Sequence, residues 1–224
     1  MFLKELLFPK FCLGCGFIGV YICSNCQKKL KRINKDQCLY CGKASFNGRT
    51  HPGCVRSRGI DGFISLFYYD NLLKKIIKNI KYRGVYGALK ELLTLIDYET
   101  INKIKKTPIK NPMLQSIPLH PKREKERGFN QVDLIVELLG RTIGWPIGDF
   151  ITRQKPTAPQ AQINKKQDRQ KNMSGAFSTK KPIMRHDFLL VDDVLTSGST
   201  IKEAAKTLKN AGAEKIYVFT LAKG

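Results

Sequence analysis

The chain has 224 residues, 42% of them hydrophobic, enough for one full α/β domain and a small appendage. No apolar run reaches the length of a bilayer span. The start MFLKELLFPKFC carries Lys4 and Glu5 and no small-residue cleavage site, so a soluble, intracellular protein is expected rather than a secreted or membrane-spanning one. Forty Lys and Arg against 18 Asp and Glu give a formal net charge of +22, which points to a polyanionic partner or an anionic substrate, with a generally solvated basic surface as the plainer reading.

All seven cysteines lie between Cys12 and Cys54. They form the pairs Cys12-x2-Cys15, Cys23-x2-Cys26 and Cys38-x2-Cys41, and a fourth pair is completed by His51-x2-Cys54. Eight soft ligands at knuckle spacing make two tetrahedral zinc sites, with Gly16 and Gly42 placed where N–H···S contacts need room. Joining neighbours gives Cys12, Cys15, Cys23 and Cys26 for one ion and Cys38, Cys41, His51 and Cys54 for the other; an interleaved arrangement also satisfies the spacing. Disulfides are the weaker reading, because seven cysteines cannot all pair and the cytosol keeps thiols reduced. Zinc held by four protein ligands has no open position for water, so its role is structural. Lys28, Lys29, Lys31, Arg32, Lys35, Arg49, Arg56 and Arg58, with Phe11, Phe17, Tyr21, Tyr40 and Phe46, would also permit nucleic-acid binding, although the aromatics serve equally as a small core.

Gly59-Ile60-Asp61-Gly62 reads as the join to a second unit. Phe63 to Tyr69 predicts a strand, Asp70 a helix cap, and Leu72, Leu73, Ile76, Ile77 and Ile80 one apolar helix face that breaks at Arg83-Gly84. A second helix is expected from Tyr86 to Ile96, and a lysine-rich loop from Ile101 to Asn111. Ser116 to Leu119 reads as a short strand leading into HPKREKERGFNQ, a basic loop ahead of a helix over Gln131 to Leu139. Arg123 and Arg127 there can grip pyrophosphate in a bidentate manner, and His120, before Pro121, suits a positioning group better than a base. The polar run after Ile151, with Pro156 and Pro159, predicts a long loop able to close as a lid.

FLLVDDVLTSGST, Phe188 to Thr200, carries most information. Phe188 to Val191 predict a buried strand, Asp192 and Asp193 follow, and Thr196-Ser197-Gly198-Ser199-Thr200 opens a helix stopped near Gly212. Thr200 and Glu203 have capping-box spacing. Hydroxyls and free N–H groups at a helix N-terminus cradle a phosphate, and two acids beside it suit a vicinal diol with Mg²⁺ nearby. Lys215 to Leu221 supply a last strand.

The run resembles the thirteen-residue 5-phosphoribosyl-1-pyrophosphate (PRPP) motif of type I phosphoribosyltransferases. By that resemblance Asp192 and Asp193 hold the ribose hydroxyls, as the catalytic pair if the protein turns over. Thr196, Ser197, Gly198, Ser199 and Thr200 hold the 5-phosphate, and Arg123 and Arg127 meet the pyrophosphate. With the cysteine pairs, Lys81-Tyr82-x-Gly84, Arg127-Gly128-Phe129-Asn130-Gln131 and Gln160…Arg169-x2-Asn172 up to Phe177, the whole chain is similar to the ComF family. It departs where His51 replaces a frequent cysteine.

The resemblance implies a zinc-ribbon domain over 1–58 and, over 59–224, an α/β phosphoribosyltransferase-like domain with a parallel sheet and flanking helices. It further implies PRPP with Mg²⁺ and structural zinc, one ion or two. The role implied is in natural competence: handling incoming single-stranded DNA in the cytoplasm, at the inner membrane or free of it, beside the DNA-uptake machinery. The alternative is an active Mg²⁺-dependent phosphoribosyltransferase of metabolism acting on a small amine or nucleobase.

Overall fold

The computed structural model describes residues 9–56, 59–157 and 166–224. Arg58, Pro159 and Gln160 lie outside that range, as do residues 158–165 of the segment expected to act as a lid.

Five strands, β1 (Gly62–Tyr68), β2 (Met113–Ser116), β3 (Ile147–Gly148), β6 (Phe188–Leu195) and β7 (Ile216–Lys223), form a parallel sheet in the order β1-β7-β6-β2-β3. A separate antiparallel pair joins β4 (Ile151–Arg153) to β5 (Phe177–Thr179). The central strands are apolar on both faces, as a buried parallel sheet requires. Their alternation sorts them cleanly. Leu189, Val191, Tyr217 and Phe219 enter one core with helices α2 (Asn71–Arg83), α3 (Tyr86–Leu93), α4 (Tyr98–Lys105) and α6 (Gln131–Ile143). Phe188, Leu190, Ile216 and Val218 enter the other, with α8 (Ser199–Asn210) and the β4–β5 pair.

Asp70 caps α2, its Oδ1 accepting from the Leu73 N–H at 3.0 Å, and Gly84 ends that helix at φ 62°. Three expectations need correction. The lysine-rich stretch is helical as far as Lys105 and irregular from Lys106 to Asn111, as expected: Asp97 caps α4 by accepting from the Thr100 N–H at 2.9 Å, and Ile101 and Ile104 bury one face while Lys105 meets water. The basic segment is a helix too, α5 (Pro121–Arg127), with Pro121 in its first turn and Gly128 at φ 78° as its stop. It buries no residue, so no periodicity marks it. The capping box does not form: Gly198, at φ 73°, is the N-cap of α8, so Thr200 lies inside the helix. Glu203 instead accepts from the Gly175 N–H at 2.7 Å, tying α8 to the chain before β5. A further helix, α7 (Lys166–Met173), stands within the expected loop.

The described N-terminal segment, which includes the helix α1 (Ser24–Lys29), covers the free edge of β1. Antiparallel bridges pair Arg32 with Phe67 and Arg49 with Gly62, and the Ile33 N–H donates to the Leu66 carbonyl at 3.0 Å. Covering an edge strand removes a site of unwanted pairing.

Candidate functional site

The sheet changes winding direction between β6 and β2, and a cleft of about 460 Å³ opens there at the C-terminal ends of the strands. Asp192, Asp193, Thr196 to Thr200, Arg123 and Arg127 all line it. Strand β6 does not stop before the acids but runs through them to Leu195, with Asp192 opposite Thr220 of β7. A strand turns successive side chains to opposite faces, so the two neighbours meet different surroundings.

Asp193, 5% exposed, lies on the side of α2 and α6. Lys81 of α2 pairs with it at 2.6 Å, and Gln131, first residue of α6, donates to the same carboxylate at 2.7 Å. Burial alone would raise Asp193, but the Lys81 charge and these hydrogen bonds hold it below the usual carboxylate range. Asp192, half-buried on the opposite face, accepts the Asp193 N–H at 2.8 Å and has no cation paired with it among the described residues; burial and then the Asp193 charge push it up to about 7. The two adjacent acids thus differ in surroundings and in proton affinity, Asp193 held in an ion pair and Asp192 facing the cleft.

The cup follows directly. Gly198 in the left-handed region turns the chain into α8, whose first turn has no side-chain cap, while Ser197 Oγ and Ser199 Oγ stand 2.9 Å apart. Free N–H groups, hydroxyls and the helix dipole there favour an anion. Across the cleft, the Arg123 guanidinium donates to the Thr157 carbonyl at 2.5 Å, and Arg127 donates to Gln131 Oε1 at 3.2 Å while stacking over Tyr82. His120 Nδ1 accepts from the Lys122 N–H at 3.2 Å, as a cap of α5.

Lys74, Lys78 and Arg153 also line the cleft and are not among the expected site residues; Lys81 and Gln131 enter the sequence reading only as members of family markers. Lys74, Lys78 and Lys81 recur at helical spacing on α2, a pattern that also describes any solvated face. Arg153 has no signal beyond an arginine at an inward position of a short alternating strand.

The eight metal-ligand candidates gather in the two neighbour sets, Cys12, Cys15, Cys23, Cys26 and Cys38, Cys41, His51, Cys54, with the ligand atoms of each set within 4.8 Å of one another. The interleaved alternative is thereby excluded. Gly16 and Gly42, at φ 84° and 70°, donate their N–H groups to the Cys12 and Cys38 carbonyls and close the two knuckles. Burial would raise the Cys12 thiol, yet the N–H groups of Cys23, Cys15 and Gly14 draw it down to about 6. Cys38 is drawn to about 6 against burial by those of Cys41, His51 and Tyr40. The backbone favours thiolate, the form that binds metal, at these two cysteines, while burial and the neighbouring thiols push Cys26 up to about 12 and Cys54 up to about 11. His51 Nδ1 lies 3.3 Å from Cys41 Sγ, and its other nitrogen lies 3.0 Å from the Ala44 carbonyl, the outer contact that orients a ligating imidazole. The donor sets fit structural zinc. Of the aromatics nearby, Phe11, Phe17 and Phe46 face solvent, while Tyr21 and Tyr40 pack against the two cores.

A double zinc ribbon domain matches residues 3–55, and a phosphoribosyl transferase domain matches residues 149–224. Over 210 residues the chain is 31% identical to competence protein F of Haemophilus influenzae, with 90% of each covered. The chain belongs to the competence protein F family. Competence protein ComFC of Bacillus subtilis is 30% identical over 89% of this chain and 83% of its own length. The DNA utilization protein YhgH of Escherichia coli strain K12 is 30% identical over 90% of both. Among solved structures, the adenine phosphoribosyltransferase of Leishmania tarentolae superposes with a TM-score of 0.36 at 11% identity over 65% of this chain and 74% of that one, too loosely to bear on the site. The fold of this family member is a phosphoribosyltransferase-like parallel sheet preceded by a double zinc ribbon. No helix among the described residues is long and apolar enough to cross a membrane.

Proposed function

We propose that the chain binds PRPP in the cleft and serves natural competence, handling incoming single-stranded DNA in the cytoplasm. The observation that carries this reading is the meeting, in one cleft at the sheet's switch point, of a paired acid, an open acid, a hydroxylated helix start and two arginines. The cup of Thr196 to Thr200 receives the 5-phosphate. Asp192 accepts hydrogen bonds from the ribose hydroxyls, and Asp193, held by Lys81 and Gln131, fixes the strand end that carries it. Arg123 and Arg127 face the pyrophosphate. Asp192 is the acid that would face a magnesium ion bound with the ligand, which would supply positive charge against the pyrophosphate.

The names of the relatives support the role in competence. The net charge of +22 and the solvent-facing Phe11, Phe17 and Phe46 support single-strand binding by phosphate attraction and base stacking.

Calorimetry with PRPP and Mg²⁺ tests the site: binding is expected in the wild type and lost in Asp192→Ala, and silence in the wild type refutes the reading. A gel shift with single-stranded DNA, weakening steeply as salt rises, tests the second half. Turnover onto a small amine or nucleobase is the second reading, favoured by the arginines on the leaving-group side, and it requires pyrophosphate release from PRPP that depends on the acceptor.

A further inference from the structure

Lys74, Lys78 and Arg153 line the cleft without a part in the roles above, and of these three Arg153 is the buried one. Arg153 ends β4, paired in register with Phe177, and alternation turns it inward like Ile151 two residues earlier. It is 5% exposed. Its Nη2 donates to the Thr157 hydroxyl and to Met173 Sδ, and its plane lies over the Phe177 ring. Nε has no partner, and among the described residues no carboxylate pairs with this guanidinium. Burial, and then the charges of Arg123 and Arg127, weaken its hold on the proton, moving it down to about 10. A charge withdrawn from water without a counter-charge destabilises a fold unless something else supplies that charge. Several features identify the supplier. Arg153 sits on the same side of the sheet as Asp192, feels its field, and lines the cleft beside Arg123 and Arg127. Three guanidiniums crowd one wall, and their mutual repulsion is relieved by a single multiply charged anion.

We propose that Arg153 contacts the pyrophosphate group of PRPP from the β4–β5 side, as a third guanidinium beside Arg123 and Arg127, and that the bound anion is the counter-charge it lacks in the free protein. This rests on the cleft being the PRPP site. Arg153 then reads pyrophosphate and not the sugar phosphate, which is held at the cup. It joins ligand binding to the base of the segment after β4, because Thr157 takes Arg153 on its hydroxyl and Arg123 on its carbonyl. And it is a group that the free protein holds at a cost to its own stability.

The test uses the full-length protein and the variants Arg153→Met and Thr157→Val. The probes are inorganic pyrophosphate with Mg²⁺, PRPP with Mg²⁺, and ribose 5-phosphate, each titrated calorimetrically, with thermal melting of the ligand-free proteins. Arg153→Met is expected to weaken pyrophosphate and PRPP by about tenfold or more and to leave ribose 5-phosphate within about twofold. Its ligand-free melting temperature should be unchanged or about 2–4 °C higher, since an uncompensated buried charge is gone. Thr157→Val, which removes the hydroxyl contact and keeps the guanidinium, should leave pyrophosphate within about twofold. Unchanged pyrophosphate affinity in Arg153→Met overturns the proposal. So does a lower melting temperature with equal losses for all three ligands, the signature of a purely structural arginine. If PRPP does not bind the wild type, the PRPP reading itself fails, and the pyrophosphate titration still judges Arg153.

Discussion

Around Cys12, Cys15, Cys23 and Cys26 the chain is pressed into the core of the α/β unit, whereas around Cys38, Cys41, His51 and Cys54 it lies over the edge strand β1 and the start of α8. In the first cluster Cys12, Cys23 and Cys26 are buried with Leu73 and Ile76 of α2. Glu91 of α3 accepts the Tyr21 and Ile22 N–H groups at 3.1 and 2.7 Å, and a methyl group at Gly14 would meet Leu72 at 2.9 Å and Cys26 Sγ at 2.5 Å. In the second cluster Cys41 is exposed and His51 and Cys54 are only partly covered. It is tied to the edge of β1 by the Arg49–Gly62 bridge and to α8 through Tyr40, which accepts the Ile60 N–H at 2.8 Å and lies under Lys202, the lysine that borders Gly198. Ligand spacing says how a metal is held; the surroundings say how much of the fold depends on it. The first cluster belongs to the core of the whole chain, and the second is a local clasp.

The two clusters should part most widely at Cys26→Ser. It removes a ligand and disturbs the shared core at once, so a melting temperature lower by about 10 °C or more and a loss of one zinc equivalent are expected. Cys41→Ser removes a ligand of the exposed cluster and should also lose one zinc, with a fall of about 5 °C. Zinc counted by mass spectrometry beside the melts decides this, and equal falls for the two variants would break the distinction between core and clasp.

Glu91→Ala tests docking apart from metal. It leaves two N–H groups of the first knuckle without an acceptor and should cost about 1–2 kcal/mol with zinc content intact, as read by urea unfolding.

Asp192→Asn places a change in the cleft, away from both clusters. The folded-state pKa of Asp192 is raised to about 7, above its ordinary value, so ionising this acid lowers stability as pH rises from about 4 to 7. The variant should therefore melt a few degrees higher than wild type above pH 7. The gain should shrink as pH falls through that window, and zinc content should not change. His51→Cys is the mildest change. A thiolate replaces an imidazole in a set that already fits zinc, so the melting temperature should stay within about 2 °C and zinc stoichiometry should hold.

Ligand types, the hydroxyl-and-glycine run and the adjacent acids are legible in the chain itself, because each depends on residues close together along it. Cysteine knuckles and a strand-to-helix turn are short-range objects whose geometry follows from spacing. The helices α4 and α5 are less legible. Their surfaces carry so much lysine and arginine that propensity and periodicity are masked, and caps at Asp97 and Gly128 decide them.

By itself the sequence determined which residues could bind zinc and a sugar phosphate, and that a buried strand must precede the acids. Only the tertiary structure decided that the cysteines group as neighbours, and that Asp192 and Asp193 lie in unlike surroundings. Lys81 and Gln131 reach Asp193 across 112 and 62 residues of chain, and Arg153 comes to the opposite face from a strand outside the main sheet. The two-residue period of β6 sends the acids to opposite sides, and the partners waiting there arrive on elements far away along the chain.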